Sequence, residues 1–243
     1  MIDLEHLKKV KRIHTDDKRN FNLGLRADRN EKVEDWPISI FNKIFKNIKT
    51  HEFTSYFNTT EIKKIKIKII KYFRLNGENF IINHGGDGVI KEFLLLNYKK
   101  NLKVLMNANN YEMYRVYFNA LKIKCIQAPY SLNIEEKNIF KINKDFFKKK
   151  ISQVDIIFLT NPNQISNNDF SILEMAKLCA KYPKKKFFID ESYHGFGGSS
   201  FLSLTKKFKN IYVMRSITKT FGLASARIGF LISNKESIKP FKA

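Results

Sequence analysis

The chain has 243 residues, with 45 Lys or Arg against 23 Asp or Glu and a formal charge of +22. That charge raises nucleic-acid binding first, but 37 of the basic residues are Lys, only 8 are Arg, and they are scattered through every segment. Nucleic-acid surfaces favour Arg forks and clustered basic faces, so the lysines read as a solvated surface and no nucleic-acid partner is expected.

Hydrophobic residues make up 43% of the chain, enough for a core and against wholesale disorder. The N-terminus carries Asp3 and Glu5 and no apolar core, so no secretory signal is expected there. Residues 1–35 are polar and read as an N-terminal arm; residues 36–243 read as one large domain. Trp36-Pro37 opens a helical stretch, with Pro at a tolerated first-turn position. Between residues 60 and 75, Ile62, Ile65, Ile69 and Phe73 fit a helical stripe, while 64–69 alternates like a strand; length favours the helix.

From residue 80 short apolar runs alternate with helix-length patterns. The strand-like runs are 80–82, 102–106, 125–127, 155–159, 186–189 and 211–214, and none is long enough to span a bilayer. Helical patterns cover 88–98, 112–121 and 169–182. Such alternation implies a parallel sheet covered on both faces, with ligands at the C-terminal strand ends. Cys125 and Cys179 form neither a disulfide framework nor a metal-ligand spacing, so no metal is expected and a reducing cytoplasm is the expected setting.

Polar and special residues gather after the strands. The first run leads into Asn83-His84-Gly85-Gly86-Asp87-Gly88, which reads either as a plain turn with Asp87 as helix cap or as an anion site at a helix start. The amide-rich loop 160–168 reads as a loop or as a binder of ligand heteroatoms. Asp190 ends an apolar strand, so its carboxylate needs a partner: a backbone cap, a Lys or a cationic ligand atom. Lys219 follows the next strand in a hydroxyl-rich turn, eight residues before Arg227.

In order and spacing these segments resemble the fold-type-I pyridoxal-phosphate (PLP) enzymes, close to the histidinol-phosphate aminotransferase family. The blocks that carry the resemblance are DESY at 190–193 with RSITKTFGLASARIG at 215–229, NPNQISN at 161–167, NHGGDGVI at 83–90, NNYEMY at 109–114 and LRADRNE at 25–31. The resemblance implies a three-layer α/β/α large domain with a mostly parallel sheet, the cofactor pyridoxal 5'-phosphate, a homodimer, and small-molecule amino donors and keto or carbonyl acceptors. It makes Lys219 the Schiff-base lysine, which also moves a proton at the substrate α-carbon. It makes Asp190 the partner of the pyridine nitrogen and Tyr193 a donor to the ring's phenolic oxygen. Tyr111 would stack on the ring. Arg227, Ser216, Thr218 and the backbone of Gly86 and Asp87 would hold the phosphate. Tyr56 would reach the phosphate of the other subunit's cofactor.

Three departures stand out. Ile165-Ser166-Asn167 replaces the usual Pro-Thr-Gly, so either Gln164 or, with a one-residue shift, Asn163 would meet the phenolic oxygen. Gly88 stands where Glu is common. The family also continues into a smaller C-terminal domain, whereas this chain stops at Ala243. An aminotransferase is the leading reading; a decarboxylase or lyase of the same fold and an inactive remnant are the alternatives.

Overall fold

This computed structural model describes residues 4–10, 30–56, 59–75, 79–132, 134 and 140–242. Its elements are α1 (Leu4–Lys9), α2 (Ile38–Phe45), α3 (His51–Thr54), α4 (Thr59–Phe73), β1 (Phe80–His84), α5 (Gly85–Leu96), β2 (Lys103–Asn107), α6 (Met113–Ala120), β3 (Lys124–Ala128), β4 (Tyr130–Leu132), β5 (Phe140–Ile142), α7 (Lys144–Ile151), β6 (Ile156–Thr160), α8 (Ile172–Lys181), β7 (Lys186–Asp190), β8 (Ile211–Ser216), β9 (Ile228–Ser233) and α9 (Lys235–Ile238).

All six expected strands form, each within about two residues of its expected ends. The sheet runs β1-β9-β8-β7-β6-β2-β3. From β3 to β8 every pairing is parallel, while β9 is antiparallel to both β8 and β1. The sheet is therefore mostly parallel rather than wholly so. Parallel neighbours need a crossover of a dozen or more residues, usually a helix. The link from Ser216 to Ile228 carries only a short 3-10 turn, Ala224–Ala226, and so delivers an antiparallel strand. The β4–β5 hairpin was not visible in the sequence pattern, because each strand has only three residues.

The alternation of side chains along each strand builds two cores. Phe158, Phe188 and Met214 pack with Val89, Phe93 and Leu94 of α5 and with Tyr114 and Phe118 of α6. Ile157, Leu159, Ile189 and Val213 pack on the opposite face with Phe147 of α7 and with Met175 and Leu178 of α8. All five residues of β6 are buried, as expected for a strand covered on both sides. The segment at 60–75 is helical: Ile69, Ile70 and Phe73 cover Phe80, Phe230 and Ile232 at the β1–β9 edge. A capping box between Ser171 and Glu174 starts α8.

Gly229 of β9 lies against the start of α5. A Cβ there would fall 2.5 Å from the carbonyl carbon of Gly85. Gly229→Ala is expected to cost about 1–3 kcal/mol through overpacking, read as a lower urea midpoint. Phe93 is fully buried and its ring meets those of Phe158, Phe188 and Tyr212. Phe93→Ala should cost about 3–5 kcal/mol, whereas Ile67→Ala, at a 64% exposed position, should stay within about 0.5 kcal/mol of the parent.

Candidate active site

The C-terminal ends of β6, β7 and β8 open onto one edge of the sheet, and β1, reversed twice through β9, ends there too. That edge is where ligands bind in open α/β sheets. The expected site segments at 83–88, 160–168, 190–193 and 215–227 follow these four strands.

Asp190 closes β7 and is 5% exposed. Its carboxylate accepts from the Ser192 backbone N–H at 2.8 Å and from the Tyr114 hydroxyl. Burial pushes the Asp190 carboxyl above the usual range, and these two bonds offset part of that rise. Burial and the Asp190 charge together push the Tyr114 hydroxyl well up. Among the described residues no cationic side chain pairs with Asp190; the partner found is a backbone cap and a tyrosine, not a lysine.

Lys219 lies three residues past β8. Its Nζ donates to the Asn30 carbonyl at 3.0 Å and sits 5.9 Å from the centre of the Tyr193 ring. Burial lowers its pKa; Glu31 opposes the shift and Arg227 adds to it. The Tyr193 hydroxyl accepts from Asn30 Nδ2 at 2.9 Å and from Gln164 Nε2 at 3.1 Å. Lys219, Tyr193, Asn163, Gln164 and Asn30 line a cleft of about 760 Å³.

The turn after β1 departs from one expectation. Helix α5 begins at Gly85, so Asp87 is not its cap but lies in its first turn, where a negative charge suits the helix dipole. Its side chain serves Arg227 instead, 3.3 Å from Nη2, and accepts from the hydroxyls of Tyr111 at 3.3 Å and Tyr117 at 3.1 Å. Gly85 has φ +69°, and a Cβ there would lie 2.9 Å from Arg227 Nη2. Glycine at this position thus permits both the turn and the close approach of the guanidinium. Nearby, Ser216 Oγ donates to Thr218 Oγ1 at 2.7 Å and accepts from the Thr218 N–H at 3.0 Å.

The amide loop accommodates its unusual sequence. Asn167 takes φ +60°, a left-handed conformation that Asn tolerates better than most residues. It exchanges backbone bonds of 2.7 and 3.2 Å with Asn163. Asn163 Oδ1 accepts from the Ile165 N–H at 3.0 Å, while the buried Asn163 Nδ2 has no hydrogen-bond partner among the described residues. The space a larger residue would need at Gly88 is filled by Asn83, whose Oδ1 lies 2.6 Å from the place of a Cβ.

The structure thus places Tyr193, Gln164, Asn163 and Lys219 on one cleft and joins Asp87, beside Gly86 in the first turn of α5, to Arg227 and Tyr111; Asp190 connects to that second group through Tyr114, whose ring meets that of Tyr111, and Ser216 is paired with Thr218. It does not bring in Tyr56, which is fully exposed and joined to none of them by a hydrogen bond or ring contact among the described residues. Of the expected N-terminal motif, 25–29 lie outside the described residues. Asn30 was in that motif without a role, and no local spacing could join it to Lys219 across 189 positions. Also unforeseen is the buried pair of Glu191 and Arg215, 2.9 Å apart, which takes in Ser200 and the Phe201 N–H. Among the described residues no helix is long and apolar enough to cross a membrane, and no group of three or more His, Cys, Asp or Glu is placed to hold a metal ion.

Residues 25–243 match the family model "Aminotransferase class I and II". A histidinol-phosphate aminotransferase from Sulfurisphaera tokodaii is 28% identical over 222 residues, which is 90% of this chain and 61% of that relative. The histidinol-phosphate aminotransferase from Sinorhizobium meliloti, solved with pyridoxal-5'-phosphate, superposes with a TM-score of 0.73 at 16% identity, covering 88% of this chain and 57% of that one. L-threonine-O-3-phosphate decarboxylase from Porphyromonas gingivalis gives 0.60 at 18% identity, covering 72% and 50%. The chain spans about three fifths of the length of the curated relatives it matches. With the family model matched over nearly the whole length and the same fold found in solved structures, the chain belongs to the class I and II aminotransferase family.

Proposed function

We propose that this chain forms the pyridoxal-phosphate-binding part of an aminotransferase that moves an amino group between an amino compound and a keto or carbonyl acceptor. The observation that carries the reading is Asp190: a carboxylate buried at a strand end, sharing Asp87 with Lys219 as an electrostatic neighbour, with no cationic side chain paired with it among the described residues. A buried carboxylate of this kind suits a protonated ring nitrogen. Two further features fit the cofactor. Among the described residues Asn163 Nδ2 is a buried donor without an acceptor, and the lack of a side chain at Gly85 lets the Arg227 guanidinium lie against the start of α5.

The roles follow from the donor chemistry. Arg227, the hydroxyls of Ser216 and Thr218, and the backbone N–H groups of Gly86 and Asp87 at the start of α5 would hold the phosphate. Asp190 would hold the ring nitrogen protonated. Tyr193 and Gln164, already 3.1 Å apart, would donate to the phenolic oxygen together with Asn163, and Tyr111 would cover the ring face. When bound, the cofactor supplies an aldehyde for covalent attachment and an electron sink for a substrate carbanion. Lys219 provides the attaching amine and then carries the proton at the substrate α-carbon. Its lowered pKa leaves more neutral amine near neutrality than an ordinary lysine has, so attachment extends to lower pH.

Mixing the protein with PLP should give a new absorbance band, and borohydride should fix the cofactor's mass on the peptide holding Lys219. Lys219→Ala should abolish both signals. No band in the parent protein, or a trapped adduct elsewhere, would overturn the reading. Given an amino acid, the loaded protein should release the matching keto acid and retain the aminated cofactor; carbon dioxide in place of that product would point to a decarboxylase.

We also propose that the chain works as a homodimer in which Tyr56 serves the other subunit's site. Helix α2 supports this: it buries none of its residues, and Ile38, Phe41, Ile44 and Phe45 are exposed at 70%, 46%, 53% and 49%. An apolar face of that kind marks an association surface. Sedimentation should give a dimer, and Phe41→Glu with Ile44→Glu should shift it to monomer. A parent protein that sediments as a monomer at micromolar concentration would refute the assignment.

A further inference from the structure

The residue that follows the amide loop, Asp169, is buried at 7% exposure. It does not cap α8, which starts three residues later behind Ser171. Instead its carboxylate joins three segments of the chain. Oδ1 accepts from Ser166 Oγ at 2.8 Å, within the loop. Oδ2 accepts from the Tyr130 hydroxyl at 2.6 Å, on β4, and from Asn107 Nδ2 at 3.1 Å, at the end of β2. The partners also bond one another: Asn107 Nδ2 to the Tyr130 hydroxyl at 2.8 Å, and Ser166 Oγ to the same oxygen at 3.2 Å. The network continues from Asn110 Nδ2 to Asn107 Oδ1 at 2.8 Å and from Thr160, the last residue of β6, to Asn110.

A buried carboxylate is tolerated only when donors surround it. Here they come from separate elements, so the full set is met in one arrangement of the loop. The loop needs such an anchor because Ile165 and Asn167 give it neither the rigidity of proline nor the freedom of glycine. Its turn fixes Asn163 by the paired backbone bonds to Asn167 and ties up Asn163 Oδ1. What remains is Asn163 Nδ2, without a partner among the described residues, in a residue that lines the Lys219 cleft.

We infer that Asp169 is a positioning residue: through Ser166, Tyr130 and Asn107 it fixes the amide loop so that Asn163 Nδ2 is held ready for an acceptor atom in the cleft. The inference rests on the reading of that cleft as the pyridoxal-phosphate site. Its test is a PLP titration, followed by absorbance, of the parent, Asp169→Ala, Asp169→Asn, Asn163→Ala, and Asp169→Ala combined with Asn163→Ala. Asp169→Ala should raise the half-saturating concentration about tenfold, the effect of one displaced charge-assisted hydrogen bond. Asp169→Asn should stay within about twofold of the parent, since the Ser166 hydroxyl can turn to accept from the carboxamide. Asn163→Ala should weaken binding by itself, and adding Asp169→Ala should change it by no more than about twofold. Should Asp169→Ala fail to fold, Tyr130→Phe takes its place in the cycle, with the same loss of effect expected beside Asn163→Ala. Parent-like binding by Asp169→Ala, no rescue by Asp169→Asn, or fully multiplicative effects would overturn the positioning role alone. A parent protein that binds no PLP would overturn the cleft reading and this inference together.

Discussion

A carboxylate at the end of a strand in the middle of a covered sheet cannot turn to water. Asp190 is in that position, with β6 and β8 on either side of it, and donors from two other segments close on it. Tyr114 reaches it from α6 and the Ser192 N–H from the turn that follows. These donors make burial tolerable, and desolvation still raises the pKa of the group. A cationic ligand atom would gain from that environment what water would otherwise supply. The amine of Lys219, on the neighbouring strand's loop, also lies in surroundings that disfavour its charged form. The sheet edge thus holds a carboxylate suited to a cation and an amine shifted toward neutrality.

The strand pleat separates this chemistry from its support. Successive side chains point to opposite faces, so Asp190 and Glu191 do different work. Asp190 faces the layer of α5 and α6. Glu191 is directed to the other side, where it meets Arg215, Ser200 and the Phe201 N–H. The Arg215 guanidinium in turn lies 5.2 Å from the centre of the Phe73 ring of α4. That pair adds little net stability over an apolar core, but a partner removed from it would leave an uncompensated buried charge. It therefore fixes how the ends of β7 and β8 meet, and with them the spacing of Asp190 and Lys219. Gly229 and Gly85 do the same on the β1 side, by letting two backbones meet where side chains would collide.

Local patterns carried much of this information. Apolar runs of three to five residues between helix-length stripes gave the layered fold, because a strand buried on both faces has few other ways to read. Polar residues at run ends marked Asp190, Lys219 and the amide loop, since the C-terminal strand edge is fixed once the alternation is known, while Arg227 was marked by the family resemblance. Where two local readings competed, tertiary contact decided. The 60–75 segment is helical because Ile69, Ile70 and Phe73 cover the β1–β9 edge. Asp87 is drawn from capping into contact with Arg227, 140 positions away. Gln164 and Asn163, alternatives by alignment, occupy different places: one bonds Tyr193, the other keeps a buried donor.

By itself, then, the sequence determined the order of six main strands with helix-length segments between most of them, the edge where polar residues gather and the residue types that gather there. These are properties of neighbouring residues, set by side-chain periodicity and by the turn preferences of Gly, Asn and Asp. Only the tertiary structure decided that β9 runs backwards, that Asn30 reaches Lys219, that Glu191 and Arg215 pair beneath the site, and that Asp169 joins β2, β4 and the amide loop. Each of these joins groups far apart in the chain. Their energy comes from excluding water from groups that meet only once the sheet has closed, and no local pattern encodes which groups those will be.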